Sequence, residues 1–154
     1  KLDRPARDSF SLLDEVEESL HIKVRPLSWP ISSGDSFKGV YNIFNHSLLL
    51  FNPSIQEIQP SIRFSDVNAP ELDHHIGKEA ALLREELELV EGVYPAFDHA
   101  AYLAGELAPV FFGSALYNFG VQELLDTFVR IAPYPRPSFT EEREVKIFLN
   151  CMEI

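Results

Sequence analysis

A few short stretches of the sequence carry residue types that do chemistry in proteins. Gly34-Asp35-Ser36-Phe37-Lys38-Gly39 spaces two glycines as a phosphate-binding loop does, but Val40-Tyr41 stand where such a loop needs Lys and Ser or Thr. Without that lysine and hydroxyl the stretch lacks a grip on phosphate and Mg²⁺, and it reads as a turn. Asp73-His74-His75 sets two imidazoles beside a carboxylate. Adjacent residues on a helix point about 100° apart, so this pair does not converge on a metal, and a solvated helix face is the plainer reading. Cys151 and Met152 stand unaccompanied, and the carboxylate-rich stretch from Arg84 to Glu91 reads as the wet side of a helix. Lys1-Leu2-Asp3 sets a lysine and an aspartate two apart, a common tripeptide. Gly113-Ser114-Ala115-Leu116 follows an apolar run and precedes a helical pattern. Small residues there let backbone N–H groups come close to a ligand, at the sheet edge where α/β proteins bind nucleotides. Taken alone, it reads better as a tight strand-to-helix turn.

These stretches need elements to hold them. Asp8 or Ser9 can cap a helix in which Leu12, Leu13, Val16 and Leu20 recur at helical spacing between acidic residues. Ile22 to Ile31 holds Val24, Leu27 and Trp29 with two prolines, and reads as a strand running into a loop. Phe37 to Phe44 and Leu48 to Phe51 flank Asn45-His46-Ser47 as a hairpin would. Ile55 to Phe64, interrupted by Pro60, reads as edge strands that join the hairpin in a small sheet beside a larger one. Ala69-Pro70-Glu71 starts a helix with Leu72, Ile76, Leu83, Leu87 and Val90 on one face and Gly92 as its stop. A shorter helix is expected from Asp98 to Leu107, then a buried strand at Pro109-Val110-Phe111-Phe112. Gly120 precedes a helix whose core side is expected to carry Val121, Leu124, Leu125, Phe128 and Val129. Pro133, Pro135 and Pro137 make a stiff connector. The sum is an α/β chain, and the order from Val110 through Val129 is the strand–turn–helix unit of a parallel sheet.

Composition narrows the function classes. The 154 residues give room for one ordinary domain, and 45% hydrophobic residues exclude a wholly disordered chain. Acidic residues number 24 against 13 basic ones, a formal charge of −11, which repels phosphate backbones and argues against autonomous nucleic-acid binding. Apolar runs such as Leu48 to Phe51 are too short to span a bilayer, so no membrane is expected. A single cysteine excludes an internal disulfide framework and fits a cytoplasmic location. The sequence begins at Lys1 rather than Met, so upstream sequence is expected to be missing and a site split along the chain would be half present.

Taken together, the pieces resemble a family. Lys1-Leu2-Asp3 resembles the last three residues of the guanine-reading Asn-Lys-x-Asp motif of GTPases, and Ser114-Ala115-Leu116 resembles their later Ser-Ala-x motif. Between and around them lie Leu12-Leu13-Asp14-Glu15-Val16-Glu17, Trp29-Pro30-Ile31, Phe37-Lys38-Gly39-Val40-Tyr41 and Arg84-Glu85-Glu86-Leu87-Glu88-Leu89-Val90. With Phe111 through Val121 and Leu124-Leu125-Asp126, the series is similar to the bacterial peptide chain release factor 3 family of translational GTPases, relatives of elongation factor G. The resemblance runs from Lys1 to about Val145.

It implies the C-terminal part of a P-loop GTPase domain over residues 1–132, with an inserted β-rich and helical subdomain at about 37–107. A proline-rich linker at 133–140 would lead to residues 141–154, the start of a second domain or a non-native tail. It also implies a bound GTP or GDP. Asp3 would accept from guanine N1 and N2, the Lys1 stem would pack along the base, and backbone N–H groups within Ser114, Ala115 and Leu116 would meet O6. The parent would be a cytoplasmic GTPase that uses GTP to help remove class I release factors from the ribosome. Its Mg²⁺ ligands, P-loop and switch regions are not in this sequence, so this chain alone is not expected to hydrolyse GTP. The alternatives are a piece of an elongation factor G-like GTPase and an acidic protein-interaction domain.

Overall fold

Helix α1 (Ser9–Leu20) begins where the Asp8 carboxylate accepts from the Ser11 N–H at 3.1 Å, which satisfies one of the donors every helix start leaves free. The computed structural model describes residues 7–51, 61–115, 119–134, 138–139 and 144–145. Leu13 packs fully into the core from α1, while Leu20, expected beside it, is 66% exposed.

From α1 the chain enters β1 (Lys23–Pro26) and then, after Leu27 alone, β2 (Ser28–Ile31). This single apolar run serves two sheets. β1 pairs in parallel with β6 (Leu107–Val110), whereas β2 opens an antiparallel sheet in the order β2–β3–β4–β5. The remaining strands of that sheet are β3 (Gly39–Asn42), β4 (Ser47–Leu50) and β5 (Ile62–Arg63). Leu27 is the junction: its N–H donates to Val110 O and its own carbonyl accepts from Ile43 N–H, each at 2.9 Å. The two prolines that read as loop signals are tolerated because Pro26 ends its strand and Pro30 lies on the sheet's edge. Since β2 belongs to the antiparallel sheet, that sheet starts at Ser28, ahead of the boundary expected near residue 37.

β3 and β4 form the expected hairpin, although its turn spans Ile43 to His46. His46 takes the left-handed conformation at φ 51°, and Asn42 accepts from the Asn45 N–H at 2.9 Å. Gly34–Ser36 is one 3-10 turn joining β2 to β3, in keeping with the turn reading of that glycine pair.

Alternation along the strands separates two clusters. Trp29, Ile31, Tyr41 and Leu48 face one way and join Leu13, Leu72, Ile76, Leu83, Leu87 and Val90 in the main core. The opposite face carries Val40 and Leu49, which meet Phe37 and Phe119. The periodic run from Ala69 is two helices, α2 (Pro70–Ile76) and α3 (Glu79–Val93). Gly77, at φ 66°, breaks it, and Gly92 lies inside α3.

Asp98 caps α4 (His99–Ala104), and the chain turns into β6 at Leu107, where the sequence reading had helix. Beyond Leu107 this strand is half-buried, less than a central parallel strand would be. Helix α5 (Val121–Ile131) departs furthest from expectation. Its buried residues are Thr127 and Ile131, while Leu124, Leu125, Phe128 and Val129 are 41%, 49%, 53% and 80% exposed.

Ser138–Phe139 (β7) pairs with Glu144–Val145 (β8) in an antiparallel ladder, so a strand begins inside the stretch expected to be linker at 133–140. A sequence-local ladder needs no partner from elsewhere in the chain, which is why it can form so close to the prolines. Pro135 and Pro137 lie outside the described residues, as do 140–143 and 146–154. Among the described residues, no helix is long and apolar enough to cross a membrane.

Candidate functional site

The loop after β6 is built around two close backbone approaches. A Cβ on Gly113 would lie 2.7 Å from Phe119 O, and one on Gly120 would lie 2.8 Å from Phe112 O. Only glycine lets these two passes of the chain touch, and Gly120 at φ 73° also supplies the left-handed turn into α5. Ser114 and Phe119 then close the neck by exchanging hydrogen bonds, Ser114 N–H to Phe119 O at 2.8 Å and Phe119 N–H to Ser114 O at 2.9 Å.

The residues singled out in the sequence divide across this loop. Ser114 is buried at the neck, and its hydroxyl has no partner among the described residues. Its N–H is bonded within the loop, to Phe119 O. Ala115 is exposed at the loop's leading side. Lys1, Asp3 and Leu116 lie outside the described residues.

A cleft of about 330 Å³ opens beside α1 and the end of β2, lined by Arg7, Asp8, Ser9, Ser32, Ser33 and Ser36 with Phe112. Asp8 follows Asp3 by five residues, and Phe112 precedes Ser114 by two, so the flanks of both candidate motifs line one cleft. The volume is that of a small-ligand site. Serine hydroxyls donate and accept, which suits the polar edge of a heterocycle or sugar. Arg7 is paired with Glu15, so its charge is already partly answered.

Electrostatics add residues that sequence reasoning missed. The stretch from Arg84 to Glu91 is more than a wet face. Trp29 Nε1 donates to Glu86 at 2.8 Å, Arg84 grips Asp73 with two bonds of 2.9 and 2.8 Å, and Glu91 pairs with Arg25. Burial pushes the Glu86 carboxyl up, against the Trp29 hydrogen bond, with the nearby Asp8 adding to the rise. The Arg84 hydrogen bonds hold Asp73 below the usual carboxylate range. Arg25, on β1, is buried and also donates to Tyr94 O. No signal in the sequence marks it, because burial of a charge depends on the α3 carboxylate brought to it from 66 residues away. Tyr41 is pushed up to about 12 by burial, with Asp66 adding to the rise. His74 and His75 are exposed, His74 bonded to Pro70 O and His75 edge-on to Phe64. Among the described residues, no group of three or more His, Cys, Asp or Glu converges as a metal site would.

No family model matches the sequence. Among solved structures, the chain is similar to a Thermus thermophilus protein designated ttk003000868, with a TM-score of 0.52 and 21% identity. The match covers 86% of this chain and 21% of that one, so the chain spans a minor part of the neighbour's length. At that identity the likeness shows the fold alone, an α/β arrangement with parallel and antiparallel sheets.

Proposed function

We propose that the chain is the C-terminal part of the GTP-binding domain of a translational GTPase of the release factor 3 kind, and that it contributes the elements that read guanine. The observation that carries this reading is α5, an amphipathic helix with Leu124, Leu125, Phe128 and Val129 in solvent, in a chain whose parallel sheet has two strands among the described residues. Parallel sheets are stable when helices cover both faces and further strands flank them, and a bare apolar face marks a surface that something covers. A chain that supplies half of an α/β layer presents both features. The cleft shared by the flanks of the two motifs supports the same reading, since it gives a base somewhere to sit.

In this reading Asp3 accepts from guanine N1 and N2, and the Lys1 stem packs on the base. Ala115 and Leu116 take over as donors to O6, because the Ser114 N–H is bonded to Phe119. Phosphates and Mg²⁺ are held by residues of the upstream half, so the chain by itself binds GTP or GDP weakly and does not hydrolyse it. The parent, in the cytoplasm, promotes recycling of class I release factors from the ribosome.

The test joins this chain to the upstream half of such a domain and replaces Asp3→Asn. A carboxylate matches the two N–H donors of guanine, whereas an amide matches the donor and carbonyl of xanthine. The variant loses GTP binding and gains xanthosine triphosphate binding, by a switch of up to roughly 10⁴. Unchanged GTP affinity with no xanthosine preference removes Asp3 as the base reader. Micromolar GDP affinity of the chain alone, measured by calorimetry, defeats the partial-domain reading.

The bare face of α5 also favours a second reading, an acidic protein-interaction module. That module would show no guanine preference once the upstream half is attached.

A further inference from the structure

Three buried polar side chains form a row across the antiparallel sheet, on the face that meets α5. Ser28 stands opposite Asn42, and Asn42 opposite Ser47, with exposures of 2%, 2% and 3%. Ser28 Oγ accepts from the Phe112 N–H at 2.8 Å, and Asn42 Oδ1 accepts from the Asn45 N–H at 2.9 Å. The Asn42 amide nitrogen is then left with no acceptor among the described residues. Glu123, from the first turn of α5, lines the same cavity of about 10 Å³, and its Oε2 is buried with no donor. A buried donor and a buried acceptor that share a cavity without bonding each other both carry a desolvation penalty.

These two groups define what fits between them. A cation would meet the amide protons, an anion would meet the carboxylate, and an apolar group would satisfy neither. A molecule that accepts on one side and donates on the other satisfies both, and about 10 Å³ is the room a single water needs. We propose that this cavity is a binding site for one ordered water, which accepts from Asn42 Nδ2 and donates to Glu123 Oε2. It fastens the first turn of α5 to the β3–β4 hairpin, while the Ser28–Phe112 bond fastens the segment that follows β6. The neck between Gly113 and Gly120 is thus held on both flanks by one row of sheet residues. Asn42 is a positioning residue for that loop, whatever the loop touches, so its role does not depend on the nucleotide reading.

Water–protein cross-relaxation by NMR on the unmodified chain tests it directly. A long-lived water should show cross-peaks to the Asn42 side-chain amide and to the Glu123 N–H. Asn42→Ala should abolish them and speed hydrogen exchange at the Ser114 and Phe119 N–H groups about three- to tenfold, with the Asn45 N–H, which loses the same side chain, also faster and the Gly39–Leu50 end of the β3–β4 ladder unchanged. A double-mutant cycle of Asn42→Ala with Glu123→Ala should return a coupling of about the same size in the unfolding equilibrium. No long-lived water at Asn42 in the unmodified chain, a direct Asn42–Glu123 hydrogen bond, or variant effects that simply add would each overturn the proposal.

Discussion

The antiparallel sheet and helix α5 contact one another, yet the sheet buries both of its faces whereas α5 leaves most of its apolar side chains in solvent. Trp29, Ile31, Tyr41 and Leu48 on one face of the antiparallel sheet meet Leu72, Leu83, Leu87 and Val90 of α2 and α3, all nearly or fully buried. Its other face packs Val40 and Leu49 against Phe37 and Phe119. Among the described residues the parallel pair is β1 and β6, with Val24 of β1 in the main core, and α5 beyond it turns Leu124, Leu125, Phe128 and Val129 to solvent. Sequence-local hairpins satisfy their own hydrogen bonds, whereas parallel strands depend on crossovers from distant parts of a chain. The sheet is therefore buried on both faces, and α5 is buried on one side only.

Removing matched side chains from each region puts that contrast under the greatest load. Leu72→Ala should cost ~2–5 kcal/mol by chemical denaturation, because Leu72 is fully buried and the cavity it leaves cannot collapse easily. Gly113→Ala comes next, at ~1–3 kcal/mol, since its methyl would sit 2.7 Å from Phe119 O and must spread the neck. Its signature is faster hydrogen exchange at Ser114 and Phe119 than elsewhere.

The dependence of stability on pH adds detail to the contrast. Burial raises the Glu86 carboxyl in the folded state, so the fold holds that proton more tightly than the unfolded chain does. Its contribution is present in full below the ordinary glutamate value and is lost as the pH rises through the raised one. Glu123, also raised by burial, acts in the same sense. Asp73 is lowered, so its pairing with Arg84 supports the fold above the ordinary aspartate value and is lost as the pH falls through the lowered one. Glu86→Gln should therefore flatten the decline in melting temperature from mildly acidic to neutral pH while leaving the acid limb in place. An unchanged profile in that variant would mean that Glu86 is solvated.

The smallest effect is expected on the open face. Phe128→Ala should change stability by about 0.5 kcal/mol or less, since Phe128 is 53% exposed. A loss comparable to that of Leu72→Ala, or a melting temperature that climbs with protein concentration, would show the face covered by another copy of the chain and end the contrast.

Local signals were legible where the information was local. The Asp8 cap, the Leu72–Leu83–Leu87–Val90 stripe, the hairpin around residue 45 and a helix starting near Asp98 all appear as expected, because each depends on side chains within a turn or two. The break at Gly77 was hidden because the apolar period continues across it. At the candidate site the small residues of Gly113 to Ala115 were legible, but the use of the Ser114 N–H inside the loop was not. That bond depends on Phe119 returning to the neck.

The α/β class, the positions of α1, the β3–β4 hairpin and α5, and the glycines that bracket the loop at 113–120 follow from the amino-acid sequence alone, because propensity, capping and periodicity act over a few residues. Which face of α5 is buried was settled by tertiary packing. Its apolar period is unambiguous, yet Thr127 and Ile131 face inward, since a helix buries whichever face finds a neighbour. The same holds for Arg25 and Glu86, whose partners Glu91 and Trp29 lie 66 and 57 residues away. Pairings at that separation are set by how the sheets and α3 stack, a choice that local propensity does not encode.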